Sequence, residues 1–197
     1  MEHNVFTVNN YYFNGIGHVS VDYAKVLRMG FNGIILEADK NLKALDVSDS
    51  DYAQRREFLQ AVIISSNAVI SFAKRFSDLA AQMAEQESDA KRRAELQTIS
   101  KVCAHVPANP AGSYYEACQT FWFIHEVLQI ESNGHSVSPM RFDQYMYPYF
   151  KADMDSGRLS YEFAQELTDC VILKLNEVNK VRDSASTKAF GGYPMFQ

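Results

Sequence analysis

The sequence predicts a predominantly helical fold with few short strands. Three observations carry this expectation. Apolar residues recur at three- and four-residue steps over most of the chain, prolines and glycine turns cut those runs into helix-length pieces, and no βαβ alternation is visible. Strand-like composition, rich in Val, Phe, Tyr and Asn, is confined to residues 5–13, which lead into the glycine turn Asn14-Gly-Ile-Gly-His18.

Over residues 19–45 the apolar spacing is near-helical, and Gly30 and Gly33 either break it or allow close packing within it. Two short helices or one kinked helix fit. Ser50-Asp51 opens the strongest pattern, running to about Glu87, with Phe58, Val62, Ser65, Val69, Phe72, Phe76, Leu79 and Met83 on its expected core face. Residues 91–106 form another amphipathic helix. It stops at Pro107 and Pro110, because proline disfavours helical geometry at the residue before it. Ser113-Tyr-Tyr-Glu116 has capping-box spacing, and the helix behind it, residues 117–130, is apolar on most sides and therefore deeply buried before the break at Asn133-Gly134. Residues 141–150 read as a polar-aromatic segment ahead of the turn Asp155-Ser-Gly157. Ser160 begins the last long helix, with Phe163, Leu167, Val171, Leu175 and Val178 on one face.

Composition narrows the functional class. With 197 residues, 47% hydrophobic and 22% charged, the chain can build a core as one domain or a large piece of one. A net charge of −5 without a basic block lacks the footprint that nucleic acid or an anionic membrane demands. The longest apolar run, residues 61–71, is interrupted by Ser65, Ser66 and Asn67 and falls short of the roughly 20 residues that span a bilayer. The opening Met1-Glu-His-Asn4 has no signal-peptide character. Cys103, Cys118 and Cys170 show no paired spacing, which favours a reducing, cytoplasmic location. The final residues, 190–197, form an apolar and aromatic string of the kind that continues into packed structure, so the chain reads as an excerpt of a longer polypeptide.

His125-Glu126 is the first chemical candidate, because zinc proteases place a second histidine four residues after the first. That position is Gln129, so His125 reads as a satisfied buried histidine and no metal is expected. The three cysteines read as small core residues. Gly15 and Gly17 precede a helix as phosphate-binding glycines do, but the third glycine of a dinucleotide fingerprint is missing, and the better reading is a tight turn that positions His18. His135 and Ser136 sit on a short loop held by a rigid helix, the usual platform for binding or catalytic groups.

Seven collinear blocks carry a resemblance. Asn14-Gly-Ile-Gly-His-Val-Ser-Val-Asp-Tyr-Ala-Lys-Val-Leu27, Val106-Pro-Ala-Asn-Pro-Ala111, Phe121-Trp-Phe-Ile-His125, Gln129-Ile-Glu-Ser-Asn-Gly-His-Ser136, Arg141-Phe-Asp-Gln-Tyr-Met-Tyr-Pro-Tyr149, Lys174-Leu-Asn-Glu177 and Gly192-Tyr-Pro-Met-Phe-Gln197 resemble the glycyl radical enzymes. That family includes pyruvate formate-lyase and the B12-independent glycerol and propanediol dehydratases. The resemblance implies an α/β fold, a ten-stranded barrel of two half-barrels wrapped in helices. Residues 1–197 would be part of the N-terminal half, lacking the cysteine loop and the C-terminal glycyl radical domain and therefore inactive alone.

By the same resemblance His18, His135, Ser136 and Tyr193 fall where the diol dehydratases place polar pocket residues, and the 117-residue interval from His18 to His135 agrees with that layout. The implied reaction is radical dehydration of a small diol such as glycerol or 1,2-propanediol. His18 would protonate the departing hydroxyl, because water leaves far more readily than hydroxide. His135 and Ser136 would bind substrate hydroxyls, and Tyr193 would close one wall. No cofactor is expected on this segment. The family implies a protein glycyl radical installed by a radical SAM iron–sulfur activase, and a homodimer. Pyruvate formate-lyase-type acyl transfer, another lyase on the same scaffold, and a non-catalytic helical fragment are the competing readings. One departure stands out. The family usually has glycine before Arg-Phe-Asp-Gln, and this chain has Met140, so either the turn differs or the glycine is dispensable. Arg141 and Asp143 read as a partly buried, loop-ordering ion pair.

Overall fold

The computed structural model describes residues 19–132 and 136–178. Six helices are present among them: α1 (Tyr23–Lys43), α2 (Tyr52–Gln86), α3 (Ala90–His105), α4 (Tyr114–Ser132), α5 (Phe142–Asp155) and α6 (Tyr161–Glu177). The short strands expected from the sequence reduce, among the described residues, to one isolated parallel bridge between Val19 and Val137. The extended stretch 5–13 and the glycine turn at 14–18 lie outside the described residues.

α4 is the pillar of the fold because it is apolar on most sides. One side of it, with Tyr114, Ala117, Cys118, Phe121 and Ile124, packs against Tyr23 and Leu27 of α1, Met146 of α5 and Ala164, Val171 and Leu175 of α6. The opposite side presents Phe123 to Ala73 of α2 and Cys103 of α3. Its start is held twice. Ser113 Oγ accepts from Glu116 N at 3.2 Å, as the capping-box spacing predicts, whereas the Glu116 carboxylate turns outward to accept from Gly112 N at 2.6 Å. The Asp153 carboxylate, only 4% exposed, accepts from Tyr114 N at 2.7 Å and from the Arg158 guanidinium at 2.6 Å, so it meets an orphan amide of α4 and a cation at once.

α1 is one helix with a sharp kink, one of the two forms its spacing allows. Gly30 adopts φ 65 and ψ 169, which frees the amides of Phe31 and Asn32 from the helical ladder. Those amides donate to the carbonyls of Pro107 and Ala108, and the released Leu27 carbonyl accepts from Ala111 N, all at 2.9 Å. The proline-rich loop after α3 thus completes the backbone hydrogen bonding that the kink would leave unmet.

α2 and α3 form a helical hairpin joined by Glu87, Ser88 and Asp89. Here the expected core face is corrected. The buried residues of α2 are Ser66, Val69, Ala73, Ser77, Ala80 and Ala84, while Phe58, Phe76, Leu79 and Met83 are exposed. Small side chains let the two axes approach, and Ser77 Oγ donates to the Ser100 carbonyl across the contact at 2.8 Å. The larger residues are displaced to its flank, where Phe72 and Phe76 lean on Phe123.

α5 occupies the segment read only as polar-aromatic, and it carries Pro148 in its interior. The lost proline N–H deprives the Gln144 carbonyl of its helical donor at a residue that is exposed. α6 begins as expected, Ser160 Oγ accepting from Phe163 N at 3.1 Å, and buries Ala164, Val171 and Leu175. Phe163, expected on that face, is 41% exposed. It lies in the first turn, where its ring meets Tyr115 of α4 with centroids 6.2 Å apart and is not covered by it.

Candidate functional site

Two segments far apart in sequence meet at the bridge between Val19 and Val137. Val19 N donates to the Ser136 carbonyl at 3.2 Å, and Ser138 N donates to the Val19 carbonyl at 2.9 Å. Val19 directly follows His18, and Ser136 directly follows His135. Of the four residues expected in the pocket, Ser136 alone lies among the described residues. His18, His135 and Tyr193 lie outside them. Ser136 is half-buried and holds the left-handed backbone conformation, φ 51, that side chains rarely adopt.

The loop from Ser136 closes at Met140, which is also left-handed, with φ 54. Met140 therefore holds a conformation that favours glycine. Met140 N donates to Ser138 Oγ at 3.1 Å, and Tyr145 Oη donates to the Pro139 carbonyl at 2.7 Å. Arg141 and Asp143 pair as expected, Nε to Oδ1 at 3.0 Å and a second guanidinium nitrogen to Oδ2 at 2.8 Å. Their burial was expected and is not found: the side chains are 71% and 63% exposed. The Arg141 hydrogen bonds, with a smaller contribution from Gln144, hold the Asp143 carboxyl well below the usual carboxylate range. The pair orders the surface turn that starts α5.

Beneath this junction His125 is completely buried. The Gln129 amide donates to His125 Nε2 at 2.9 Å, which leaves the ring proton on Nδ1, facing Tyr23 Oη at 3.4 Å. Burial pushes the imidazole down to about 4, so it is neutral at pH 7. Among the described residues no three His, Cys, Asp or Glu side chains gather as metal ligands would. Cys103 and Cys118 are buried and their thiols pushed up by burial to about 11 and about 12, which suits packing rather than reactivity. Cys170, expected in the core, is exposed on α6, where only every third or fourth residue turns inward.

Sequence reasoning missed Tyr145 and Tyr23. Both lie in blocks quoted for the resemblance, but a tyrosine in an aromatic run gives no sign of which hydroxyl reaches a loop carbonyl.

The family model for pyruvate formate lyase-like proteins matches residues 1–197, and the chain belongs to that family. Among its relatives, the (2S)-3-sulfopropanediol dehydratase of Klebsiella oxytoca is 36% identical over 193 residues, 95% of this chain and 23% of the relative. A structure of the Roseburia inulinivorans enzyme of 1,2-propanediol dehydration superposes with a TM-score of 0.92 at 52% identity, covering 100% of this chain and 23% of that one. The glycerol-bound B12-independent glycerol dehydratase of Clostridium butyricum gives a TM-score of 0.90 at 56% identity, covering 97% and 24%. The chain therefore spans about a quarter of the length of the relatives it matches. What is described here corresponds to a helical part of the glycyl radical enzyme barrel.

Proposed function

We propose that residues 1–197 supply the polar wall of a glycyl radical dehydratase that removes water from a small diol such as glycerol or 1,2-propanediol. The observation that carries the reading is the backbone bridge at Val19 and Val137, which ties the residue after His18 to the loop that begins with His135 and Ser136. Dehydration needs two things from this wall. One is an acid for the departing hydroxyl, and the other is a set of hydrogen bonds that fixes which carbon faces the radical. His18 is the proposed acid. His135 and Ser136 bind the substrate hydroxyls, and Tyr193 closes the wall.

The radical chemistry, hydrogen-atom abstraction from the hydroxyl-bearing carbon, belongs to a cysteine loop and a glycyl radical domain outside these residues. That reading brings a radical SAM activase as partner, a homodimeric assembly and a cytoplasmic location. No helix among the described residues is long and apolar enough to cross a membrane. Pyruvate formate-lyase-type chemistry would call for two arginines on a substrate carboxylate. Of Arg28, Arg141, Arg158 and Arg182, Arg141 is engaged by Asp143 and Arg158 by Asp153, which weighs against that alternative, and Arg182 lies outside the described residues.

In the intact polypeptide, activated and assayed with glycerol and with 1,2-propanediol, His18→Ala is expected to lower kcat by about a hundredfold or more, with KM changed by only about threefold. An unchanged kcat removes His18 from the acid role.

A further inference from the structure

The loop 136–140 follows a path that its own sequence does not favour. Both ends are left-handed at residues with side chains, Ser136 at φ 51 and Met140 at φ 54. An L-residue resists that conformation, so the surroundings must impose it. The Val19 bridge holds the first end through two hydrogen bonds. At the other end, Pro139 has no N–H, and its carbonyl is the backbone group by which it can be held. Tyr145 Oη donates to that carbonyl at 2.7 Å.

Tyr145 is itself well placed to act as a spacer. Its ring stacks on Tyr23 with centroids 5.4 Å apart and meets Phe142 edge-on at 5.8 Å. Tyr23 is the first residue of α1, four positions after Val19. The hydroxyl of Tyr145 thus grips one segment of the junction while its ring rests on the other. Burial raises the phenol far above neutrality, so it remains a donor at any pH the enzyme meets.

We propose that Tyr145 is a positioning residue for the substrate site, holding the Ser136 loop at a set distance from the segment that follows His18 by its bond to the Pro139 carbonyl and its stack on Tyr23. This rests on the reading of Ser136 as a substrate-binding residue. Met140 makes the dependence stronger in this chain than it would be with glycine, because a strained turn springs back when one of its ties is cut.

The test uses the intact, activated polypeptide and two substitutions. Tyr145→Phe keeps the ring and removes the hydroxyl, and Met140→Gly removes the strain the hydroxyl opposes. With Tyr145→Phe, hydrogen exchange at the Val19 and Ser138 amides should speed up about tenfold while α4 and α6 stay protected. KM for glycerol should rise about tenfold with kcat within about twofold of wild type. The double variant should recover most of both changes, a coupling that a merely structural tyrosine would not show. Unchanged exchange at the two amides overturns the proposal. So does a uniform loss of protection across the helices, or a defect that Met140→Gly leaves in place. Should the wild-type polypeptide dehydrate neither glycerol nor 1,2-propanediol, the diol reading fails, and the exchange data with their Met140→Gly rescue still decide whether Tyr145 positions the loop.

Discussion

His125 shows how one residue type resolves into a role only through its neighbours. A histidine followed by glutamate on a helix suggests metal chemistry, and the glutamine four residues on, at Gln129, turns it into a hydrogen-bonded core group. Its consequence is a stability term. The folded state holds the imidazole at about 4 against an ordinary value of 6.5, so below 6.5 the unfolded chain takes up a proton that the folded chain refuses. The contribution is fully present above pH 6.5 and is lost as the pH falls through 4, amounting to on the order of 3 kcal/mol. Urea titrations of the intact polypeptide should show wild type losing that much more stability than His125→Gln between those limits. Parallel pH profiles would sink the assignment.

At the scale of elements, the kink in α1 and the proline-rich loop form one unit, each satisfying backbone groups of the other. Gly30 makes this possible, since a Cβ there would stand 2.4 Å from the Ala108 carbonyl oxygen and 2.5 Å from the Asn109 carbonyl carbon. Gly30→Ala should therefore cost about 3 kcal/mol or more. Gly157 is the control: it too has positive φ, 70, but a Cβ would meet nothing within 4 Å. Gly157→Ala should cost only about 1 kcal/mol. Equal shifts in the urea midpoint for the two variants would mean that conformation, and not the loop contact, governs Gly30. Helix starts were legible in sequence because capping is local, as at Ser160 and Ser113. The inward face of α2 was not, because a stripe of large apolar residues lies beside the small-residue one on that helix, and only the packing of its neighbouring helices selects between them.

At the scale of the whole molecule, apolar surface stays open among the described residues. Phe58 is 67% exposed, and an apolar groove of about 450 Å³ among α2, α3 and α4 has Phe76, Leu79, Met83 and Trp122 on its walls. A soluble monomer rarely leaves so much contiguous apolar area open to water. The isolated 197-residue chain should accordingly dimerise or aggregate at micromolar concentration. Sedimentation velocity checks this, and a clean monomer under those conditions would favour the reading of a self-sufficient helical module.

Sequence by itself determined the family, the helical character, most helix starts and the residues on which the proposed chemistry falls. These depend on side-chain identity, periodicity and caps, which act over a few residues. Tertiary structure decided what depends on three-dimensional geometry: that Val19 bridges to Val137, that α2 buries its alanines and serines, that residues 142–155 stay helical through Pro148, and that a methionine holds a left-handed turn. For the bridge and for α2 the deciding contact comes from another part of the chain; for Pro148 and Met140 it is three-dimensional geometry within a few residues, which residue identity alone does not encode.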